Sequence, residues 1–211
     1  MKFFLIAFVL FYSVACVAQR ELSYQDTRRK NESFMKLPKG DVRSDLASFT
    51  LSGISESVGK EEFKKIPFTS FGADYMTFEG DGIKSTITTM PFDKLKHKFI
   101  YEDEKYLTRI DKKTYYGNYG YIPFKYIASI IMTIDNDTVD IPAAAYADLY
   151  NANFTYTDKG VQRSRNGIYR SKDGHRVYLY IFSKDNTGSY EVTWIIQDKK
   201  YARRVLDYDF M

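Results

Sequence analysis

The chain has 211 residues with a formal net charge of +4, two histidines, a single cysteine at position 16, and an aromatic content of 17% made up largely of 19 Tyr and 16 Phe. One cysteine excludes an intrachain disulfide and a multi-thiolate metal site, and two histidines are too few for most hydrolytic metal centres. The slight positive excess is spread over Arg28-Arg29-Lys30, Lys64-Lys65, Lys94 to Lys98 and Lys199 to Arg204, each interrupted by or close to acids; this is an ordinary solvated face and argues against a nucleic-acid partner.

Residues 1–18 read as a cleavable export signal. Lys2 supplies one positive charge, Phe3 to Tyr12 is an unbroken apolar run, and Cys16 and Ala18 occupy the small-residue positions of a cleavage site, which places the cut between Ala18 and Gln19. The run is too short to span a bilayer. A second processing route is lipid attachment at Cys16, because Ser13-Val14-Ala15-Cys16 loosely resembles a bacterial lipobox, although Ser13 stands where an aliphatic residue is expected. Cleavage after Ala18 leaves a cysteine-free chain without another long apolar stretch, expected to be soluble and either periplasmic or extracellular.

Residues 19–45 are polar and charged and are expected to form a short helix or tether, and residues 46–211 a single β-rich domain. Leu46 to Leu51 alternates like a half-buried strand closed by Gly53. Asp74 to Phe78 and Ile83 to Met90 form a hairpin around Glu79-Gly80-Asp81-Gly82. A second hairpin joins Leu95 to Glu102 with Tyr106 to Ile110, and places Leu95, His97, Phe99 and Tyr101 on one face. Ile127 to Ile134 is continuously apolar, hence a central strand, and turns through Asp135-Asn136-Asp137 into Thr138 to Ile141. Pro142 then opens an alanine-rich stretch expected to be the chain's best helix, near 143–151.

The remainder is a meander of Gly167 to Arg170, Val177 to Phe182, Tyr190 to Ile196 and Tyr201 to Tyr208, with turn chemistry between each pair. In its third strand Tyr190, Val192, Trp194 and Ile196 share one face, and the other face is expected to be wet. The fold class is therefore mainly β, with antiparallel hairpins and a C-terminal meander forming a curved sheet, a sandwich or an open barrel.

No motif for a cofactor is present: the glycine-rich phosphate loops, the His-Glu-x-x-His spacing and the Gly-x-Ser-x-Gly elbow are all missing. Asp135 to Asp140 fails as a calcium loop, because Val139 stands where an oxygen ligand is needed and Asp140 where glycine is. His97 is expected to be half-buried and to donate to a carbonyl, and His175 to be solvated at a turn. The strongest local signal is Tyr115-Tyr116-Gly117-Asn118-Tyr119-Gly120-Tyr121, which singles out Tyr115, Tyr116, Tyr119 and Tyr121 as an aromatic platform for a glycan, peptide or envelope protein. A non-catalytic binding module is the leading expectation. The alternatives are a hydrolase using carboxylates such as Asp81, Asp111, Glu191 or Asp207, and a purely structural envelope component.

Overall fold

The structure is a computed structural model, and it describes residues 33–56, 63–186, 188–208 and 210. The export signal, the cleavage residues Ala18 and Gln19, the candidate lipid site Cys16 and the first part of the polar segment lie outside the described residues.

Two five-stranded antiparallel sheets carry the fold. The first runs β1 (Lys65–Ile66), β11 (Gly167–Arg170), β12 (Arg176–Lys184), β13 (Ser189–Gln197), β14 (Lys200–Tyr208). The second runs β2 (Phe68–Phe71), β3 (Tyr75–Gly80), β4 (Ile83–Pro91), β7 (Lys125–Ile134), β8 (Asp137–Val139). Two further hairpins stand beside them: β5 (Phe99–Glu102) with β6 (Tyr106–Ile110), and β9 (Tyr156–Asp158) with β10 (Val161–Arg163). The sheets do not close into a barrel. Pro67 lies between β1 and β2, where the chain leaves one sheet for the other; its missing N–H costs nothing at a point where ladder pairing is interrupted anyway.

Turn chemistry sets the registers. Asp81-Gly82, Asp135-Asn136 and Asp198-Lys199 all have positive φ at both positions, the mirror-image two-residue turn whose twist matches the strands it joins. Each pairs the flanking residues as the turn requires: Gly80 with Ile83, Ile134 with Asp137, Gln197 with Lys200. The hairpins and the meander thus stand where turn residues place them. The second hairpin is shorter than expected, since Lys94–Lys96 forms a 3-10 turn capped by the Asp93 side chain and leaves Leu95 87% exposed instead of on a shared face.

The alternating inner residues of both sheets meet in one core. Met76, Phe78, Ile87 and Met132 from one sheet pack with Leu179, Ile181, Val192 and Trp194 from the other. Inside this core Arg204 is fully buried and forms a fork-to-fork pair with Asp148, at 2.6 Å and 2.7 Å. The Ala145 carbonyl accepts from both Arg204 (3.0 Å) and the Trp194 indole N–H (2.9 Å).

That network corrects the expected helix near 143–151. Only a 3-10 turn forms, over Ala143–Ala145. A helix would commit the Ala145 carbonyl to the backbone four residues on, whereas here it serves Trp194 and Arg204. The following backbone pairs with the tyrosine-rich loop: Tyr116 N–H donates to the Asp148 carbonyl and Tyr150 N–H to that of Tyr116, both at 2.9 Å. Gly117 completes this junction, because a Cβ there would lie 2.0 Å from the Tyr150 carbonyl oxygen, and its φ of 105° is one that other residues rarely adopt.

The six-residue α-helix of the described chain is α1 (Asp41–Leu46), which overlaps the start of the strand expected at Leu46 to Leu51. Leu46 and Phe49 fall one turn apart and pack down with Phe34 and Leu37 onto Tyr169, Tyr178, Tyr180, Ile195 and Val205. Phe49 stacks on Tyr169 with centroids 4.1 Å apart and planes 9° apart. The part of the polar segment that is described is therefore a lid packed on the outer face of the first sheet. This overturns the expectation of a wet face on β13, where every residue from Ser189 to Ile196 is buried.

Candidate functional site

The lid covers only part of the outer face of the first sheet. At its margin, beside Leu51, lies a cavity of about 520 Å³ lined by Leu51, Phe154, Tyr156, Phe182 and Phe210, with Asn153, Thr155, Arg165 and Lys184 supplying its polar atoms. This volume suits a small organic ligand. Strand periodicity explains Phe182: Val177, Leu179 and Ile181 of β12 point into the core, so Tyr178, Tyr180 and Phe182 point out, the first two beneath the lid and Phe182 at its margin.

The walls are held rigidly. Asn166, fully buried, donates from its amide to the Phe154 carbonyl (2.8 Å) and accepts from the Phe182 N–H (2.8 Å), and so clamps two of the rings through their backbones. Ser164 Oγ also donates to the Phe154 carbonyl, at 2.7 Å. Ser183 Oγ accepts from the Asn153 N–H at 2.9 Å, and Ser189 Oγ donates to the Phe210 carbonyl at 2.7 Å. Phe182 and Phe210 meet edge to face with centroids 5.9 Å apart. Arg165 places its guanidinium over Phe182 at 5.1 Å and Tyr156 at 6.0 Å from the ring centroids.

The expected tyrosine platform is divided. Tyr115 is buried with Leu107, Ile110 and Tyr150 beneath the β5–β6 hairpin and donates its hydroxyl to the Leu107 carbonyl at 2.9 Å, while Tyr116 is buried in the main core. Burial pushes the Tyr115 hydroxyl up to about 12. Tyr119 and Tyr121 are exposed, and the Tyr119 ring faces that of Tyr208 at 6.4 Å. The four tyrosines do not form one surface.

Nor do the four carboxylates of the hydrolase alternative converge. Asp81 is at the β3–β4 turn, paired with Lys64 at 3.1 Å, and Asp111 holds His97 Nδ1 at 2.6 Å. Glu191 and Asp207 are cross-strand neighbours on the outer face of the first sheet, and both hold the lid. Glu191 accepts from Leu51 N–H (2.8 Å), Ser52 N–H (2.7 Å) and the Tyr180 hydroxyl (2.7 Å), and Asp207 accepts from Phe34 N–H (2.8 Å). Burial, opposed by the Phe34 N–H and reinforced by the neighbouring Glu191, pushes the Asp207 carboxyl up to about 6.

His97 is half-buried as expected, with its ring stacked on Phe92 at 4.5 Å, but its partner is the Asp111 carboxylate and not a carbonyl. His175 lies at an exposed turn and is raised by its hydrogen bond to Asp198. Among the described residues no group of three or more His, Cys, Asp or Glu could hold a metal ion, and no helix is long and apolar enough to cross a membrane.

The cavity residues were not singled out by local density, since they are spread from Leu51 to Phe210. One signal was available: β12 is apolar on both faces, and such a strand needs cover on both sides. No protein-family model matches the chain, and no curated protein or solved structure matches it significantly.

Proposed function

We propose that this protein is an exported, non-catalytic binding module, secreted or held in a bacterial envelope, whose ligand site is the aromatic cavity at the margin of the lid. The observation that carries the reading is a partly open recess of about 520 Å³ lined by Phe154, Tyr156, Phe182, Phe210 and Leu51, with no carboxylate among the described lining residues. Aromatic walls bury an apolar or ring-shaped ligand group and a few polar atoms at the rim orient it, which is how small-molecule sites are built. A cavity of this size takes one ring system of a glycan or one side chain of a peptide. The hydrolase reading is less favoured because the paired carboxylates, Glu191 and Asp207, are engaged by lid donors.

The neutral aromatic probe 2-naphthalenemethanol tests the site by isothermal titration calorimetry. Phe182→Ala removes a ring from the cavity wall and is expected to weaken its binding about tenfold or more, as loss of a large apolar contact does. Unchanged affinity in that variant, or no binding by the wild type, would remove the cavity as the site. Tyr119 and Tyr121 remain as a second exposed aromatic surface, and Tyr121→Ala is expected to leave the same titration unaltered.

Export rests on residues 1–18. Mass spectrometry of the protein recovered from its native cell is expected to find Gln19 at the N-terminus. A diacylated Cys16 would make it a lipid-anchored protein instead.

A further inference from the structure

We propose that the cavity selects an amphipathic carboxylate, a small ligand with an aryl or alkyl body and one carboxylate group. The inference rests on the cavity being the ligand site. Its basis is charge complementarity. Arg165 and Lys184 line the cavity, none of its described lining residues is acidic, and neither cation pairs with a carboxylate among the described residues. Four other arginines are matched with acids, Arg43 with Glu56, Arg163 with Asp158, Arg176 with Asp173 and Arg204 with Asp148, and Arg109, Arg170 and Arg203, for which no acid partner is seen among the described residues, do not line the cavity.

The position of Arg165 ties this charge to the cavity wall. Its guanidinium carbon lies 5.1 Å from the Phe182 ring centroid and 6.0 Å from that of Tyr156, within reach of the attraction between a cation and both rings. A guanidinium attracted to aromatic rings keeps its planar fork of N–H donors, and that fork matches the two oxygens of a carboxylate. The same two rings are part of the cavity wall, so the fork stands next to the apolar space. A ligand that fills the space between Phe154, Phe182 and Phe210 therefore brings an anionic end to Arg165, with Lys184 adding a second, less directional cation. A cationic ligand would meet like charge at the same rim, and a neutral one would gain nothing from it.

The test compares three probes that share one body: 2-naphthoate, 2-naphthalenemethanol and 2-naphthylmethylammonium, titrated calorimetrically into the purified protein. Naphthoate is expected to bind about tenfold more tightly than the alcohol, the worth of one charge-assisted hydrogen-bonded pair at a partly exposed site, and the ammonium most weakly. Arg165→Gln is expected to bring naphthoate to the level of the alcohol measured in the same variant, abolishing the roughly tenfold ratio between them. Arg165 is exposed, so the variant keeps the fold, and an unchanged melting temperature verifies this.

If the alcohol binds as tightly as naphthoate, or Arg165→Gln leaves their ratio unchanged, the carboxylate inference fails while the cavity reading stands. If no probe binds, or Phe182→Ala alters none of them, the cavity reading fails and the inference with it. Sedimentation with phosphatidylcholine vesicles, with and without phosphatidylglycerol, separates a free ligand from a lipid surface. No co-sedimentation is expected, and anion-dependent co-sedimentation that Arg165→Gln abolishes would overturn the free-ligand assignment.

Discussion

Asp148→Ala is expected to cost about 3–5 kcal/mol of unfolding free energy, among the largest effects of any single substitution in the chain. Arg204 has no exposed surface and lies between the sheets, with both terminal nitrogens committed to Asp148 and the Ala145 carbonyl accepting from one of them as well. Removing the carboxylate takes away the anion that neutralises a fully buried cation, and a buried charge without its counter-ion costs several kcal/mol. The effect should be asymmetric. Replacing both partners together, Asp148→Leu with Arg204→Met, is expected to cost much less than Asp148→Ala alone, because the desolvation penalty of both ions disappears with their attraction. Urea unfolding of the two variants measures the difference. Should Asp148→Ala fail to fold, Asp148→Asn keeps one acceptor and supplies an intermediate point. A loss under about 1 kcal/mol for Asp148→Ala would show that Arg204 finds other partners.

The second large effect concerns the lid. Glu191→Ala is expected to destabilise the protein by about 2–4 kcal/mol, because two backbone N–H groups and the Tyr180 hydroxyl lose their acceptor in a buried place. Limited proteolysis should then cut within residues 33–56 faster than in the wild type. Ligand binding should weaken as well, since the Leu51 wall of the cavity is held by the same carboxylate through its backbone. Asp207 makes the attachment sensitive to pH in a defined direction. Its carboxyl is pushed up to about 6 in the folded protein, so folding favours its protonated form. Its contribution is full below the ordinary carboxylate range and is lost as pH rises through about 6. Asp207→Asn keeps an acceptor for Phe34 N–H without ionising. Its stability relative to the wild type should therefore grow by about 1 kcal/mol between about pH 5 and pH 7.5, a value reduced from the full shift because Asp207 is partly exposed. Taking the difference between the two proteins cancels the other carboxylates. A flat or opposite difference would mean that ionised Asp207 costs the lid nothing.

The hairpins were legible in the sequence because their turns carry a local mechanism: Asp-Gly, Asp-Asn and Asp-Lys pairs adopting positive φ fix both the turn and the register of the strands around it. The elements that were not legible depend on partners far away along the chain. Ala143 to Tyr150 has the composition of a helix, yet its carbonyls and N–H groups are claimed by Trp194, Arg204 and Tyr116. Leu46 to Leu51 alternates as a strand would, but Leu46 and Phe49 also satisfy a helical spacing, and the aromatic outer face of the first sheet decides between the two.

The candidate site shows the same division. The dense run of tyrosines is conspicuous through sequence proximity alone, and half of it is core, since Tyr115 and Tyr116 pack inward where the loop crosses the 148–150 segment. The cavity instead gathers the short run Asn153 to Tyr156 with Leu51, Arg165, Phe182, Lys184 and Phe210, and no window of sequence contains more than a fragment of it. Its one visible trace is an aromatic Tyr-x-Tyr-x-Phe pattern on the outer face of β12.

Chemical-shift mapping of 2-naphthoate on the isotopically labelled protein tests the central claim most directly. Shifts concentrated at Leu51, Asn153 to Tyr156, Arg165, Phe182 to Lys184 and Phe210 are the predicted result. Shifts concentrated at Tyr119, Tyr121 and Tyr208, with the cavity residues unmoved, would contradict it and return the site to the tyrosine-rich loop.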